Sequence, residues 1–256
     1  INPPDMKKFA AALILFTRLP IWKWVNPSQA DYSDAVVYWP LTGWITGGLT
    51  ALAMYCFSFA MPWPTAVILA LVGRLFLTGA LHEDGLADFC DAFGCGGDKD
   101  RILSIMKDSH IGTYGVIGLI CYIALWVSLF ASFDPVVAVC TVFAADPFAK
   151  LCAGQITNIL PYARPEGAKN KISYSRMRWY QLVFQMICGV LPMFFMLMLN
   201  PWLALSTVCP IAMCMMLSLL MAKKIGGYTG DCCGATCLLC ELSMILGIAV
   251  ILHCGL

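Results

Sequence analysis

The stretch Ile111–Phe133 reads IGTYGVIGLICYIALWVSLFASF, and it contains no Asp, Glu, Lys or Arg. It is followed at once by Asp134-Pro135 and a second apolar run beginning at Val136. About 20 helical residues cross the roughly 30 Å hydrocarbon core of a bilayer. The first run is therefore long enough to span, and the Asp-Pro pair leaves room only for a tight turn into the next. Working outward, the same pattern recurs along the chain. Spans are expected near 35–61, 64–82, 111–133, 136–160, 180–199, 201–222 and 236–254. The composition agrees, being 60% apolar and 12% charged with a mean hydropathy of +0.78. A soluble domain carries about 25% charged residues. An ordinary soluble enzyme, a disordered chain and a nucleic-acid binder with a basic stripe are excluded, leaving an all-α polytopic membrane protein that forms one integral-membrane domain over 1–256. The bilayer is its first expected partner.

The connections alternate in character. Met61-Pro62-Trp63-Pro64, Phe133-Asp134-Pro135 and Asn200-Pro201 are short and carry proline, whereas 83–110, 161–179 and 223–235 are long and polar. Of the 16 Lys and Arg, all but Arg74 and Lys150 lie in the N-terminal segment or in the three long loops. Seven spans place the N-terminus and those loops on one face, which the positive-inside rule makes cytoplasmic. The basic start and apolar body of Lys7–Leu19 are followed by Arg18 and Pro20 in place of a small-residue cleavage site, so this segment reads as an interfacial or re-entrant helix. The Met-rich stretch 193–221 faces either lipid or a neighbouring subunit, and the oligomeric state stays open. Most of the 14 cysteines lie in apolar runs, where they act as small hydrophobes. Cys237-x-x-Cys240 has no matching second pair, and thiols in a membrane-flanking helix are the favoured reading over zinc.

Seven of the 15 acidic residues fall between 83 and 108. Within Gly79–Gly94, Asp84, Asp88 and Asp91 are spaced i, i+4, i+7, which puts three carboxylates on one helical stripe. Three mutually repelling anions at a membrane surface call for a cation. Hard oxygen donors suit magnesium, which carboxylates usually hold together with substrate phosphates. Asp84, Asp88 and Asp91, with the adjacent Glu83, are the candidate metal ligands. Lys107-Asp108-Ser109 and Gly112 at the next helix start form a candidate anion corner; an ordinary cap with packing glycines is the bland alternative. In the loop at 161–179, Arg164 is a candidate phosphate grip, while Lys169, Lys171, Arg176 and Arg178 read as a basic patch against lipid headgroups. The last loop runs Gly226-Gly227-Tyr228-Thr229-Gly230-Asp231, and its glycines suit close backbone approach to a ligand. Glu241, inside the final span, is a functional candidate by position. There is no P-loop, nucleophile elbow or zinc-protease motif.

These motifs, in order, resemble the cobalamin synthase (adenosylcobinamide-GDP ribazoletransferase) family. They are His82-x-Asp84-Gly85-Leu86-Ala87-Asp88-x-x-Asp91, Met106-Lys107-Asp108-Ser109-x-x-Gly112-Thr113-x-Gly115, Pro161-Tyr162-Ala163-Arg164-x-Glu166-Gly167 and Gly226-Gly227-x-Thr229-Gly230-Asp231-x-x-Gly234-Ala235. Phe16-Thr17-Arg18-Leu19-Pro20 is similar to that family's opening, so the likeness spans 16–241. Two departures stand out. Asp146-Pro147 and Lys150 occupy a span where the family often carries an arginine, and Arg74 matches no family feature; pairing with a carboxylate such as Asp146 is one expectation for it.

The resemblance implies a bacterial or archaeal inner-membrane enzyme that completes the cobalamin nucleotide loop. Its substrates would be adenosylcobinamide-GDP and alpha-ribazole or its 5'-phosphate, its products adenosylcobalamin or its phosphate and GMP, and its cofactor Mg2+. A ribose hydroxyl would attack the beta-phosphorus. Asp84, Asp88 and Asp91 would hold the metal, with Asp108 or Asp231 completing its shell or accepting the hydroxyl proton and His82 as the alternative base. Lys107 and Arg164 would neutralise the leaving GMP, and Ser109, Gly112, Thr229, Gly230 and Glu241 would contact substrate. Two rivals are kept. A CDP-alcohol phosphotransferase would require an arginine that Asp84-Gly85-Leu86-Ala87-Asp88 lacks. A cation transporter would use Arg74, Asp146, Lys150 and Glu241 as an intramembrane pathway.

Overall fold

The computed structural model describes residues 3–164 and 174–255 and is helical throughout, apart from one isolated parallel bridge, Tyr162 to Tyr228. Among the described residues twelve α-helices follow one another: α1 (Pro3–Phe16), α2 (Gln29–Ser33), α3 (Trp39–Ser58), α4 (Trp63–Thr78), α5 (Leu81–Cys95), α6 (Lys99–Ile105), α7 (Thr113–Ser132), α8 (Pro135–Ile159), α9 (Trp179–Val190), α10 (Met193–Leu199), α11 (Val208–Ile225) and α12 (Gly230–His253). Among the described residues, five segments are long and apolar enough to cross a membrane: α7, α8, α9 with α10, the 3-10 turn Pro201–Thr207 with α11, and α12. The bent pair α4–α5 makes a sixth if counted as one span. With α3, which has 20 residues, the seven expected segments are all helical. Large apolar side chains such as Phe76, Ile120, Met215, Leu219 and Val250 stay exposed on their outer faces, the surface that a bilayer covers.

The prolines mark the short turns as the sequence predicts. Pro64 and Pro135 lie in the first turns of α4 and α8, where a missing N–H costs nothing. Asp134 accepts from the Val136 N–H at 2.9 Å and caps α8. α8 and α12 form the centre, since most of their residues are buried, whereas α7 is mostly exposed. Small residues let these central helices approach others closely. A Cβ on Gly43 of α3 would stand 2.7 Å from the Pro147 Cα of α8.

The α4–α5 junction departs from the expected straight span at 64–82. The chain turns by 89° between the two helices. Gly79 (φ 65°) and Ala80 (φ 54°) both adopt the left-handed region, which ends α4 and starts α5 in a new direction. A side chain on Gly79 would collide with Arg18, which lies across the bend, and the Arg18 N–H donates to the Leu77 carbonyl at 2.7 Å. α1, just before it in sequence, buries Ala10, Ala11, Ala12, Leu13 and Phe16. Thus Arg18, two residues past α1, braces the corner from which the acidic helix departs.

The long loops gather at one end of the bundle, as loop length and charge predict. Backbone bonds Ala163 N–H to Tyr228 O (2.8 Å) and Tyr228 N–H to Pro161 O (3.0 Å) join the second loop to the third. A Cβ on Gly227 would strike the Pro161 carbonyl, so this bridge requires glycine there. Arg164 donates to the Leu103 carbonyl at 2.8 Å, and the Thr229 hydroxyl meets the Met106 sulfur at 3.0 Å. These contacts tie both loops to α6 and the residue after it.

Candidate functional site

α5 and α12 cross where each carries a glycine. A Cβ on Gly85 would lie 2.9 Å from the Asp231 carbonyl oxygen and 3.1 Å from its Cα. A Cβ on Gly234 would lie 3.3 Å from the His82 Cα. The two glycines therefore allow backbone-to-backbone contact. That contact brings the first acidic motif against the last loop, which is about 150 residues away in sequence. A pocket of about 130 Å³ opens at this crossing, lined by His82 and Asp84 from α5, by Gly230, Asp231, Cys233 and Gly234 from α12, and by Phe16, Trp39 and Tyr174 among others. Asp84 is exposed and Asp88 half-buried one turn further along α5.

The acidic stripe is divided. Asp91 is buried and turned toward α7, where its two oxygens accept from the Gly112 N–H at 2.7 Å and the Gly115 N–H at 2.8 Å. A Cβ on either glycine would collide with that carboxylate. The anion corner at the start of α7 is thus filled from within the chain: Asp91 caps the helix and answers its dipole. This is the bland cap reading of those glycines, with the capping group supplied from a different helix.

The remaining candidates separate in the same way. Thr229 is buried and caps α12 through the Cys232 N–H at 3.3 Å, while Gly230 lines the pocket. Lys107, Asp108 and Ser109 are exposed, and Asp108 accepts from the His110 N–H at 3.0 Å and pairs with its ring at 2.7 Å. They do not line the pocket. Arg164 is partly engaged by Leu103. Lys169, Lys171, Glu166 and Gly167 lie outside the described residues. Glu83 is buried and has one carboxylate oxygen without a hydrogen-bond partner among the described residues. Its neighbour His82 is also buried, with its ring beside those of Phe16 and Trp39.

Glu241 is placed away from the pocket, in the interior. It receives Arg74 in a two-pronged pair at 2.5 and 2.7 Å, and the Tyr122 hydroxyl approaches at 3.4 Å. Arg74 also lies 3.8 Å from Asp146, which pairs with Lys150 and accepts from Thr46. These four charged residues are 3% exposed or less. Two cations and two anions cancel, and they link α4, α8 and α12. Such a mutually satisfied quartet works as a clamp, since removing any one member strands another buried charge. Arg74 therefore finds the carboxylate expected of it, with Glu241 nearer than Asp146.

Sequence reasoning did not single out Trp39 or Tyr174, and it noted Phe16 only within the Phe16–Pro20 motif. Trp39 had no signal beyond its place at the start of a span. Among the described residues, no three His, Cys, Asp or Glu side chains converge closely enough to hold a metal ion by themselves. Asp84 lines the pocket and Asp88 lies one turn along α5, two carboxylates of the hard oxygen type that suits magnesium when substrate phosphates and water complete its shell.

Fold and site together define a multi-pass helical membrane protein with a paired-carboxylate pocket at the loop-bearing end of its bundle, an arrangement suited to a cation-bridged anionic substrate. The chain belongs to the cobalamin-5-phosphate synthase family, whose model matches residues 8–249. A relative from Leptospira interrogans, named adenosylcobinamide-GDP ribazoletransferase, is 33% identical over 259 residues, or 96% of each chain. Relatives of the same name from Shewanella putrefaciens and Leptothrix cholodnii are 34% and 33% identical, over 95–96% of each chain. No solved structure matches the chain.

Proposed function

We propose that this protein is an adenosylcobinamide-GDP ribazoletransferase that joins the corrinoid phosphate of adenosylcobinamide-GDP to ribazole and releases GMP. The observation that carries the site assignment is the crossing of α5 and α12 at Gly85 and Gly234, which brings Asp84 and Asp231 to one pocket. The family membership and relatives described above support the activity itself.

In this reading the acceptor's ribose hydroxyl attacks the phosphorus on the corrinoid side of the diphosphate. The new P–O bond forms as the bond to the GMP oxygen breaks, and the hydroxyl proton passes to a base. Asp231, on the first turn of α12, would be that base, a role its position in the pocket lining supports. Asp84 and Asp88 would hold Mg2+, which would neutralise charge on the diphosphate. Arg164 and the exposed Lys107 supply positive charge for the departing GMP from the adjoining loops. Asp91 acts through position only, by docking α7 against α5. Transfers of this kind depend on alignment and charge neutralisation more than on covalent catalysis. Free ribazole and its 5'-phosphate are both accommodated by this chemistry. We also assign the loop-bearing end to the cytoplasm of a bacterial or archaeal cell, where the soluble nucleotide substrates reside; the basic residues concentrated there support this side.

The test is GMP release by purified protein supplied with adenosylcobinamide-GDP, ribazole and Mg2+. Release that requires both substrates and stops with chelator is expected. Asp84→Asn and Asp231→Asn should each lower the rate by about 10²-fold or more, the scale on which one positioned group contributes. CMP release from a CDP-alcohol in its place, or full activity in either variant, contradicts the assignment.

A further inference from the structure

We propose that the pocket at Asp84 and Asp231 binds the aromatic base of the acceptor nucleoside, against a side formed by Phe16, Trp39 and His82 and with the Trp39 indole N–H as its hydrogen-bond donor. This inference rests on the function proposed above and deepens it by assigning a substrate moiety to named residues.

Three rings form that side. Phe16 and Trp39 have centroids 4.8 Å apart with 12° between planes, Trp39 and His82 are 5.7 Å and 18° apart, and Phe16 and His82 are 6.3 Å and 15° apart. All three residues line the pocket and are 5% exposed or less. Two of the rings carry buried polar atoms with no hydrogen-bond partner among the described residues, Trp39 Nε1 and His82 Nε2. Buried polar groups are nearly always paired, so each such atom needs an explanation. An indole nitrogen only donates, and what it lacks is an acceptor that arrives in the plane of an aromatic wall.

Ribazole meets that requirement. Its benzimidazole is flat and mostly apolar, and the one polar atom on its edge is an unsubstituted ring nitrogen with a lone pair. Leu15, Val36 and Leu81 complete the pocket and suit the remainder of such a ring. Guanine, the other flat base among the reactants, carries a carbonyl, two ring acceptors and several N–H groups on its edges. Asp84 and Asp231 in the lining could accept those N–H groups, so guanine is the rival occupant, and which substrate a base analogue competes with separates the two. Size agrees, since the pocket of about 130 Å³ has room for one ring system. A base seated here leaves its ribose beside Asp84 and Asp231, which line the same pocket, and His82 Nε2 becomes the polar point for a ribose hydroxyl.

The experiment uses the full chain in detergent with Mg2+ and free benzimidazole as the probe. Benzimidazole should inhibit GMP release competitively against ribazole and not against adenosylcobinamide-GDP. Trp39→Phe keeps an aromatic ring, removes the N–H and trims the buried indole to a single ring. It should raise the KM for ribazole and the inhibition constant of benzimidazole together, by about tenfold as for one lost hydrogen bond. The KM for adenosylcobinamide-GDP should stay within about twofold. Competition against adenosylcobinamide-GDP, no inhibition of the wild type, or a KM rise confined to the corrinoid substrate would overturn the proposal. Equilibrium dialysis of benzimidazole against wild type and Trp39→Phe separates this inference from the function. Trp39-dependent binding without any GMP release contradicts the proposed function and leaves the base pocket standing, and absence of binding to the wild type defeats the base pocket.

Discussion

The crossing of α5 and α12 gives a sharp perturbation in Gly85→Ala. The added methyl would stand 2.9 Å from the Asp231 carbonyl oxygen and 3.1 Å from the Asp231 Cα, both of them backbone atoms. Ordinary contact begins near 3.4 Å, so the helices must part by about half an ångström at this point. Overpacking of this kind costs about 1–3 kcal/mol of stability. The same shift moves Asp231 relative to Asp84. Misplacement by 1 Å costs about 10²-fold in rate, so half that displacement should cost about tenfold. Gly73→Ala is the control. Nothing lies within 4 Å of its Cβ position, and it is inside α4, so alanine should leave activity unchanged and raise helix stability by up to about 1 kcal/mol. The assay pairs GMP release with thermal unfolding in detergent. Gly85→Ala with wild-type rate and unfolding temperature would refute the close crossing as the device that assembles the site.

Three further outcomes follow from the geometry. Glu241→Gln should destabilise the protein by about 3–5 kcal/mol by stranding the buried Arg74 guanidinium, and the double variant Arg74→Met/Glu241→Leu should recover much of that loss in thermal unfolding. Asp91→Ala removes two charge-assisted bonds to the start of α7 and should cost about 2–3 kcal/mol, while the Mg2+ concentration for half-maximal activity stays unchanged; a large rise in that concentration would return Asp91 to the metal. The hydrogen bond from Lys8 to Asp34 raises the Lys8 pKa above 10.5. Its small contribution is complete below that value and lost as pH rises through the higher folded value, so Lys8→Met should flatten the alkaline limb of a stability–pH profile.

Much of the fold was legible because spans announce themselves by length and lack of charge. Ile111–Phe133 became α7 with its ends displaced by no more than two residues, and the prolines at 62–64, 135 and 201 marked the turns. The bend after α4 was harder to read. Its sequence, Thr78-Gly79-Ala80-Leu81, is apolar enough to continue the span, and the bend lies against Arg18, a long-range contact. The carboxylate spacing correctly put Asp84, Asp88 and Asp91 on one helix. Spacing on a helix could not reveal that α7 would take up Asp91 through Gly112 and Gly115, since that depends on the neighbour's position. Glu241 was noticed as an ionisable residue in a span, but its partner Arg74 is 167 positions away. Trp39 reads in sequence as one more apolar residue, and only its packing beside Phe16 and His82 distinguishes it.

The account's central claim is that Asp84 and Asp231 act together at one pocket. A double-mutant cycle of Asp84→Asn and Asp231→Asn, read as kcat/KM for GMP release, tests it most directly. Groups that act as a unit are strongly non-additive, so the double variant should be little slower than the slower single. Losses that multiply in full would mean that the two carboxylates work at separate places, and the shared site would not stand.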